Sequence, residues 1–165
     1  MKTPHLLNAS SNCRKLHLNL QGIVDQAALA AIEAAIKANV VGLFRLGASH
    51  YDFARALPVK DWRQRVSRFY YGAYNLTRCV RLDFDGEFHE DVTDHKKVAV
   101  LPNGFPNTAT YEHRLGLLRK DRNLCDYDHT GEEVDLMNTV ADTETLVGDL
   151  LGDTTRHLKS RGIVV

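Results

Sequence analysis

Cysteine is scarce: Cys13, Cys79 and Cys125 are the only three in 165 residues, and they are widely spaced. That pattern argues against a disulfide framework and for a reducing compartment, so a cytoplasmic protein is expected. No uninterrupted apolar run approaches the roughly 20 residues that span a bilayer. The opening MKTPHLLNASSNC also lacks the continuous apolar segment of a signal peptide. No membrane contact is therefore expected. Net charge is missing as well, since 21 basic residues balance 21 acidic ones. Internal repeats and convincing strand alternation are absent too. What remains is a chain of one-domain length with 44% hydrophobic residues, enough to build a core.

The balanced charge is unevenly placed. Residues 59–82 carry Lys60, Arg63, Arg65, Arg68, Arg78 and Arg81 against Asp61 alone. Residues 132–153 reverse this, with Glu132, Glu133, Asp135, Asp142, Glu144, Asp149 and Asp153 and no Lys or Arg. Such segregation permits a basic groove on a neutral protein, and equally two solvated helix faces.

The periodicity predicts an all-α bundle. Residues 1–24 show no sustained period and read as an irregular arm; residues 25–165 read as the helical domain. Residues 25–57 are rich in Ala, Leu and Ile, with a bend expected at Gly42 or Gly47 and an end at Pro58. Next, Trp62, Val66, Phe69, Ala73, Leu76 and Val80 step by fours and threes, the mark of one buried helix face. This leaves Arg63, Arg68, Tyr71, Asn75 and Arg78 for solvent or a site. Residues 83–107, punctuated by Gly86, Pro102, Gly104 and Pro106, read as a long loop. A third helix is expected over 108–123, with Tyr111, Leu115 and Leu118 inward. A fourth is expected to start at TGEE, residues 130–133, as a capping box. Its buried stripe would be Leu136, Val140, Val147, Leu150 and Leu158, with close helix contacts at Gly148 and Gly152.

The stretch LRKDRNLCDYDHTG, residues 118–131, falls at the joint between those last two helices. Helix ends expose backbone donors and acceptors, and an incoming N-terminus attracts anions. With Arg119, Lys120 and Arg122 beside it, a phosphate is a natural guest; a capped turn with surface charge is the plainer alternative.

Two segments resemble the HEPN family. SRFYYGAYNLTR, residues 67–78, is similar to its aromatic second-helix signature, and RNLCDYDH, residues 122–129, to its Arg-Asn-x-x-Asp-Tyr segment and its Arg-x4–6-His pattern. His95-Lys96 lies between them, and the resemblance covers roughly residues 25–158. It implies a bundle of four to five helices that commonly dimerises, and in many members a metal-independent ribonuclease, of toxin–antitoxin type among others. It further implies RNA or nucleotide as ligand, no cofactor, and an antitoxin or nucleotidyltransferase as a possible partner. In such a site the substrate's own 2′-OH attacks, an imidazole moves protons and a guanidinium holds the phosphate. Carried over, Arg122 would clamp the phosphate and His129 transfer the proton. Asn123 would orient the substrate or the Arg, and Asp126 and Tyr127 would be supporting polar residues. Arg63, Arg68, Tyr71, Arg78, Arg119 and Lys120 would contact RNA. In the compact toxin form a His stands five places after the Arg; here Tyr127 takes that place and His129 stands seven after it. On a continuous helix His129 would return to within about 20° of Arg122, roughly 10 Å along the axis. That separation suits a site shared across a homodimer. A binding module without catalysis, and a purely structural dimerising bundle, are the other two readings.

Other constellations compete less well. His89, Glu90, Asp91, Asp94 and His95 gather potential metal ligands, but not at helical zinc spacing. DFDGEF fails the calcium-loop pattern at its first and last positions. Cys125 beside Arg122 is a minor candidate nucleophile, if its pKa is lowered. Of Tyr70, Tyr71 and Tyr74, one is expected to be exposed for base stacking.

Overall fold

The computed structural model describes residues 10–87 and 92–165, and over these it is all-helical. Five α-helices follow in order: α1 (Cys13–Leu20), α2 (Gln26–Ala56), α3 (Trp62–Asp85), α4 (Thr108–Tyr127) and α5 (Val140–Ser160). Two 3₁₀ turns, Val92–Lys97 and Glu133–Asp135, interrupt the connections, and an isolated Asn12–Glu87 bridge is the only β pairing among the described residues.

α3 is the axis of the bundle, touching α2, α4 and α5, with its longest interface against α2. Its stripe is inward as the spacing demands: Val66, Phe69, Ala73, Leu76 and Val80 are fully buried, and Trp62 is half-buried. Facing them are Ile36, Val40 and Phe44 of α2, Leu115 and Leu118 of α4, and Leu146, Val147 and Leu150 of α5. Each such side chain contributes about 1.5–3 kcal/mol by leaving water.

α2 runs for 31 residues, and the break or bend expected at its glycines does not interrupt the helix. Gly47 marks a helix crossing instead: a Cβ there would lie 2.9 Å from Leu76 Cγ and 3.1 Å from the Gly72 carbonyl of α3. Gly42 has nothing within 4 Å and no such role. α2 is also long and apolar enough to cross a membrane, with mean hydropathy 1.6 over its best 18-residue stretch, against the expectation of no such segment. Its Leu29, Ile36, Val40, Phe44 and Ala54 are nonetheless committed to the protein core.

The stretch read as an irregular arm contains α1. Asn12 caps it, its side chain accepting from Lys15 N at 2.8 Å. The helix is anchored where Cys13 N donates to the Gly86 carbonyl at 2.7 Å and Arg14 pairs with buried Asp83 at 3.0 Å. Gly86 ends α3 in the left-handed region at φ 71°, where a Cβ would meet Arg14 N at 2.5 Å. The segment read as a long loop is partly structured, with Val98, Leu101 and Phe105 in the core.

The α4–α5 joint differs most from expectation. α4 continues to Tyr127, and α5 begins only at Val140, capped by Thr139 accepting from Asp142 N at 3.0 Å. Thr130 makes no capping box; its hydroxyl donates to Asp128 Oδ1 at 2.7 Å. Asp121, 1% exposed, explains the delay. Its carboxylate accepts from Met137 N at 2.7 Å and Asn138 N at 3.0 Å, holding that strand of chain extended before the helix can start. Leu136 is consequently half-buried, while Val140, Val147, Leu150 and Leu158 are buried as read. A Cβ on Gly148 would meet Tyr51 Oη at 2.8 Å, so that close contact is present; Gly152 has none.

Candidate functional site

Helical phase sets the site. On α3, Tyr70, Tyr74 and Arg78 recur every four residues on one side of the core stripe, and Tyr71 adjoins them. On α4, Arg119, Arg122 and Asp126 step by three and four, with Asn123 and Tyr127 four apart beside them. Packing α3 on α4 places the guanidinium of Arg122 among tyrosine rings. Its carbon lies 5.5 Å from the ring centres of Tyr70 and Tyr71 and 5.1 Å from that of Tyr127.

The same guanidinium is heavily hydrogen-bonded. Nη2 donates to Tyr71 Oη at 2.8 Å, and Nη1 to Tyr127 Oη at 3.1 Å and Asn123 Oδ1 at 3.2 Å. Asp126 Oδ2 stands 2.8 Å from Nε but off the line of its N–H, so it pairs charge without an aligned hydrogen bond. Among the described residues, Nε has no aligned acceptor and Nη2 has Tyr71 alone. Burial pulls the Arg122 pKa down, but the bonds to Tyr71 and Tyr127 and the Asp126 charge outweigh it and raise it. The cation is permanent.

Two imidazoles adjoin this centre. His95 stacks on Tyr74 with ring centres 4.3 Å apart, and its Nδ1 is 3.0 Å from Tyr70 Oη. Burial pushes the Tyr70 hydroxyl up to about 12, against the pull of Arg122 and Arg119, so it keeps its proton at neutral pH. His50 of α2 lies 5.8 Å from Tyr71, its pKa lowered by burial and then by Arg68. Neither was assigned a role beside Arg122 from sequence. The only signal was their residue type, because both reach the site from other elements.

His129 does not join this cluster. It is exposed beyond the end of α4 and, among the described residues, forms no hydrogen bond, ion pair or ring contact with Arg122. The helix ends at Tyr127, so the seven-residue return that would align the two never forms.

The basic residues scatter. Arg63 stacks on Trp62 and spends its guanidinium on backbone carbonyls, donating to Leu124 at 3.2 Å, Cys125 at 3.0 Å, Asp128 at 2.7 Å and also Gly131. It caps α4 and pins the turn after it. Arg65 and Arg55 share Glu144 of α5, at 2.9 and 3.0 Å. The acidic and basic segments thus neutralise each other there rather than forming a groove. Arg68 lies exposed over Phe53, Arg78 sits half-buried over Tyr74, and Lys120 is exposed. Arg119 acts on the Tyr70 hydroxyl and Arg78 covers Tyr74, which stacks on Tyr70, whereas Lys120 stands two residues before Arg122 on another side of α4.

The tyrosine expectation shifts too. Tyr70 and Tyr74 are buried and Tyr71 half-buried, whereas Tyr127 is 73% exposed. Cys125 is no activated nucleophile: burial drives its thiol up to about 12, more than Arg63 can offset. His89, Glu90, Asp91 and the Asp94 side chain lie outside the described residues. Among those described, no cluster of three or more His, Cys, Asp or Glu is arranged to hold a metal ion.

Fold and site together define a helical bundle built around a tyrosine-enclosed arginine. Set beside protein-family models, curated proteins and solved structures, the chain matches none.

Proposed function

We propose that this chain is a HEPN-like module that binds RNA or a nucleotide through Arg122. The observation that carries the reading is the Arg122 centre itself: a fixed cation against Tyr70, Tyr71 and Tyr127, with Arg119 acting on Tyr70 and Arg78 over Tyr74. Guanidinium plus aromatic surface suits a ligand that joins phosphates to flat bases. The RNLCDYDH motif supports the same reading, because its Arg, Asn, Asp and Tyr are the residues that meet there.

Cleavage is the second reading. His129 is exposed at the end of α4, and a twofold partner would have to bring it to Arg122 for the metal-independent endoribonuclease chemistry that the resemblance implies. Such a homodimer, and any antitoxin or nucleotidyltransferase partner, belongs to the proposal.

Fluorescence anisotropy with a labelled single-stranded RNA, over a salt series, tests the first reading. Arg122→Ala should weaken binding about tenfold or more and reduce the salt slope by about one phosphate contact. Equal binding by wild type and Arg122→Ala would refute it. The same RNA incubated in EDTA tests the second: cleavage lost in His129→Ala supports it, and no cleavage by a dimeric wild type removes it.

A further inference from the structure

We propose that Tyr127 is the platform on which a nucleobase of the bound RNA stacks; the inference rests on the RNA-binding reading and specifies the part of the ligand recognised. Large aromatic side chains are normally buried or packed, yet Tyr127 is 73% exposed. Its ring is not loose. The Arg122 guanidinium covers it at 5.1 Å, and Nη1 donates to its hydroxyl at 3.1 Å. Arg122 is in turn held by Tyr71 at 2.8 Å and Asp126 at 2.8 Å. The ring is therefore fixed from beneath while its outer side faces water.

That combination is what a stacking platform needs. Binding by a free side chain forfeits rotamer entropy, and Tyr127 has already been ordered by Arg122. The other tyrosines of the cluster cannot serve, because Tyr70 is 1% and Tyr74 9% exposed and Tyr71 is half-buried with its ring packed among His50, Tyr70 and His95. Along α4, Asn123 and Lys120 lie four and seven residues before Tyr127, so all three share one exposed face over roughly 10 Å. Lys120 is placed for the phosphate and Tyr127 for the base. Stacking of this kind tolerates any base, so recognition would be of unpaired strand rather than of sequence.

Anisotropy titrations of the full chain with a short oligouridine and an abasic oligomer of equal length test this. Wild type should bind the abasic strand about 5- to 100-fold more weakly, the factor expected for one stacked base. Tyr127→Ala should lose that factor for oligouridine only, with an unchanged salt slope, and Tyr127→Phe should retain most of it. Uridine monophosphate as competitor separates a lone nucleotide from a strand as the ligand. Equal wild-type affinity for the two strands, or equal losses on both in Tyr127→Ala, would overturn the platform while leaving RNA binding intact. If wild type binds neither strand, the RNA reading and the platform fall together. Circular dichroism melting of each variant shows whether a loss comes from misfolding instead.

Discussion

At the scale of single residues, Arg122 is a cation already engaged. Asp126 supplies one charge, 2.8 Å from Nε, and occupies space that an incoming phosphate would approach. Removing that competitor frees the guanidinium without disturbing the rings around it. Asp126→Asn should therefore raise affinity for single-stranded RNA by up to about fivefold, the factor that corresponds to the ~1 kcal/mol limit of an exposed ion pair. Titrations at low and high salt check it, and a weakened Asp126→Asn would mean that the carboxylate orients Arg122 rather than competing for it. Arg122, Asn123, Asp126 and Tyr127 were legible as a group because they sit within six residues on one helix. Tyr71 was legible by its type. His50 and His95 were not, since nothing local ties either one to Arg122; only the packing of α2 and of the Val92–Lys97 turn against α3 does.

Among the elements, the α4–α5 joint and the α2–α3 crossing decide the geometry. Arg63 reaches from the start of α3 to carbonyls of residues 124, 125, 128 and 131, closing the C-terminal end of α4. Arg63→Ala should cost about 1.5–3 kcal/mol of stability, as expected for hydrogen bonds from a charged donor. Its effect on RNA binding should follow only from that loss. Urea denaturation beside an RNA titration separates the two; full stability with weakened binding would restore Arg63 to the ligand surface. The two α2 glycines give a paired test. Gly47→Ala drives a methyl against Leu76 and the Gly72 carbonyl, and should destabilise by about 1–3 kcal/mol. Gly42→Ala meets open space and should stabilise by about 0.5–1 kcal/mol. Denaturant midpoints that moved together would show that the crossing is looser than the contact distances. In sequence, the two glycines carry the same signal, and a bend at either was the natural expectation. The joint was misread for a related reason. TGEE carries a local capping pattern, but Asp121, nine residues earlier, captures the backbone at 137 and 138 and postpones α5.

For the whole molecule, the interior sets the response to alkali. Burial raises Tyr70 to about 12 and Cys125 to about 12, and also raises Cys79 and Tyr111. Their ordinary values are 9.0 for cysteine and 10.0 for tyrosine. Between those values and the folded ones the unfolded chain releases protons that the native state retains. The unfolded state then binds fewer protons, so stability falls with rising pH. Stability should hold up to about pH 9 and decline steadily toward pH 12, by melting followed with circular dichroism. A flat profile across that window would mean that these groups are reached by water in the native state.

The α-helical class, the inward stripe of α3 and the arginine–tyrosine motif on α4 were determined by the sequence alone. Each depends on spacing within a single helix, and 3.6-residue periodicity converts spacing directly into a shared face. What surrounds the motif was decided only by tertiary packing. That packing paired Arg65 and Arg55 with Glu144, turned Arg63 into a cap and left His129 outside the cluster. Those outcomes depend on which charges and carbonyls of distant segments come within about 3 Å, a distance that periodicity along one helix cannot encode.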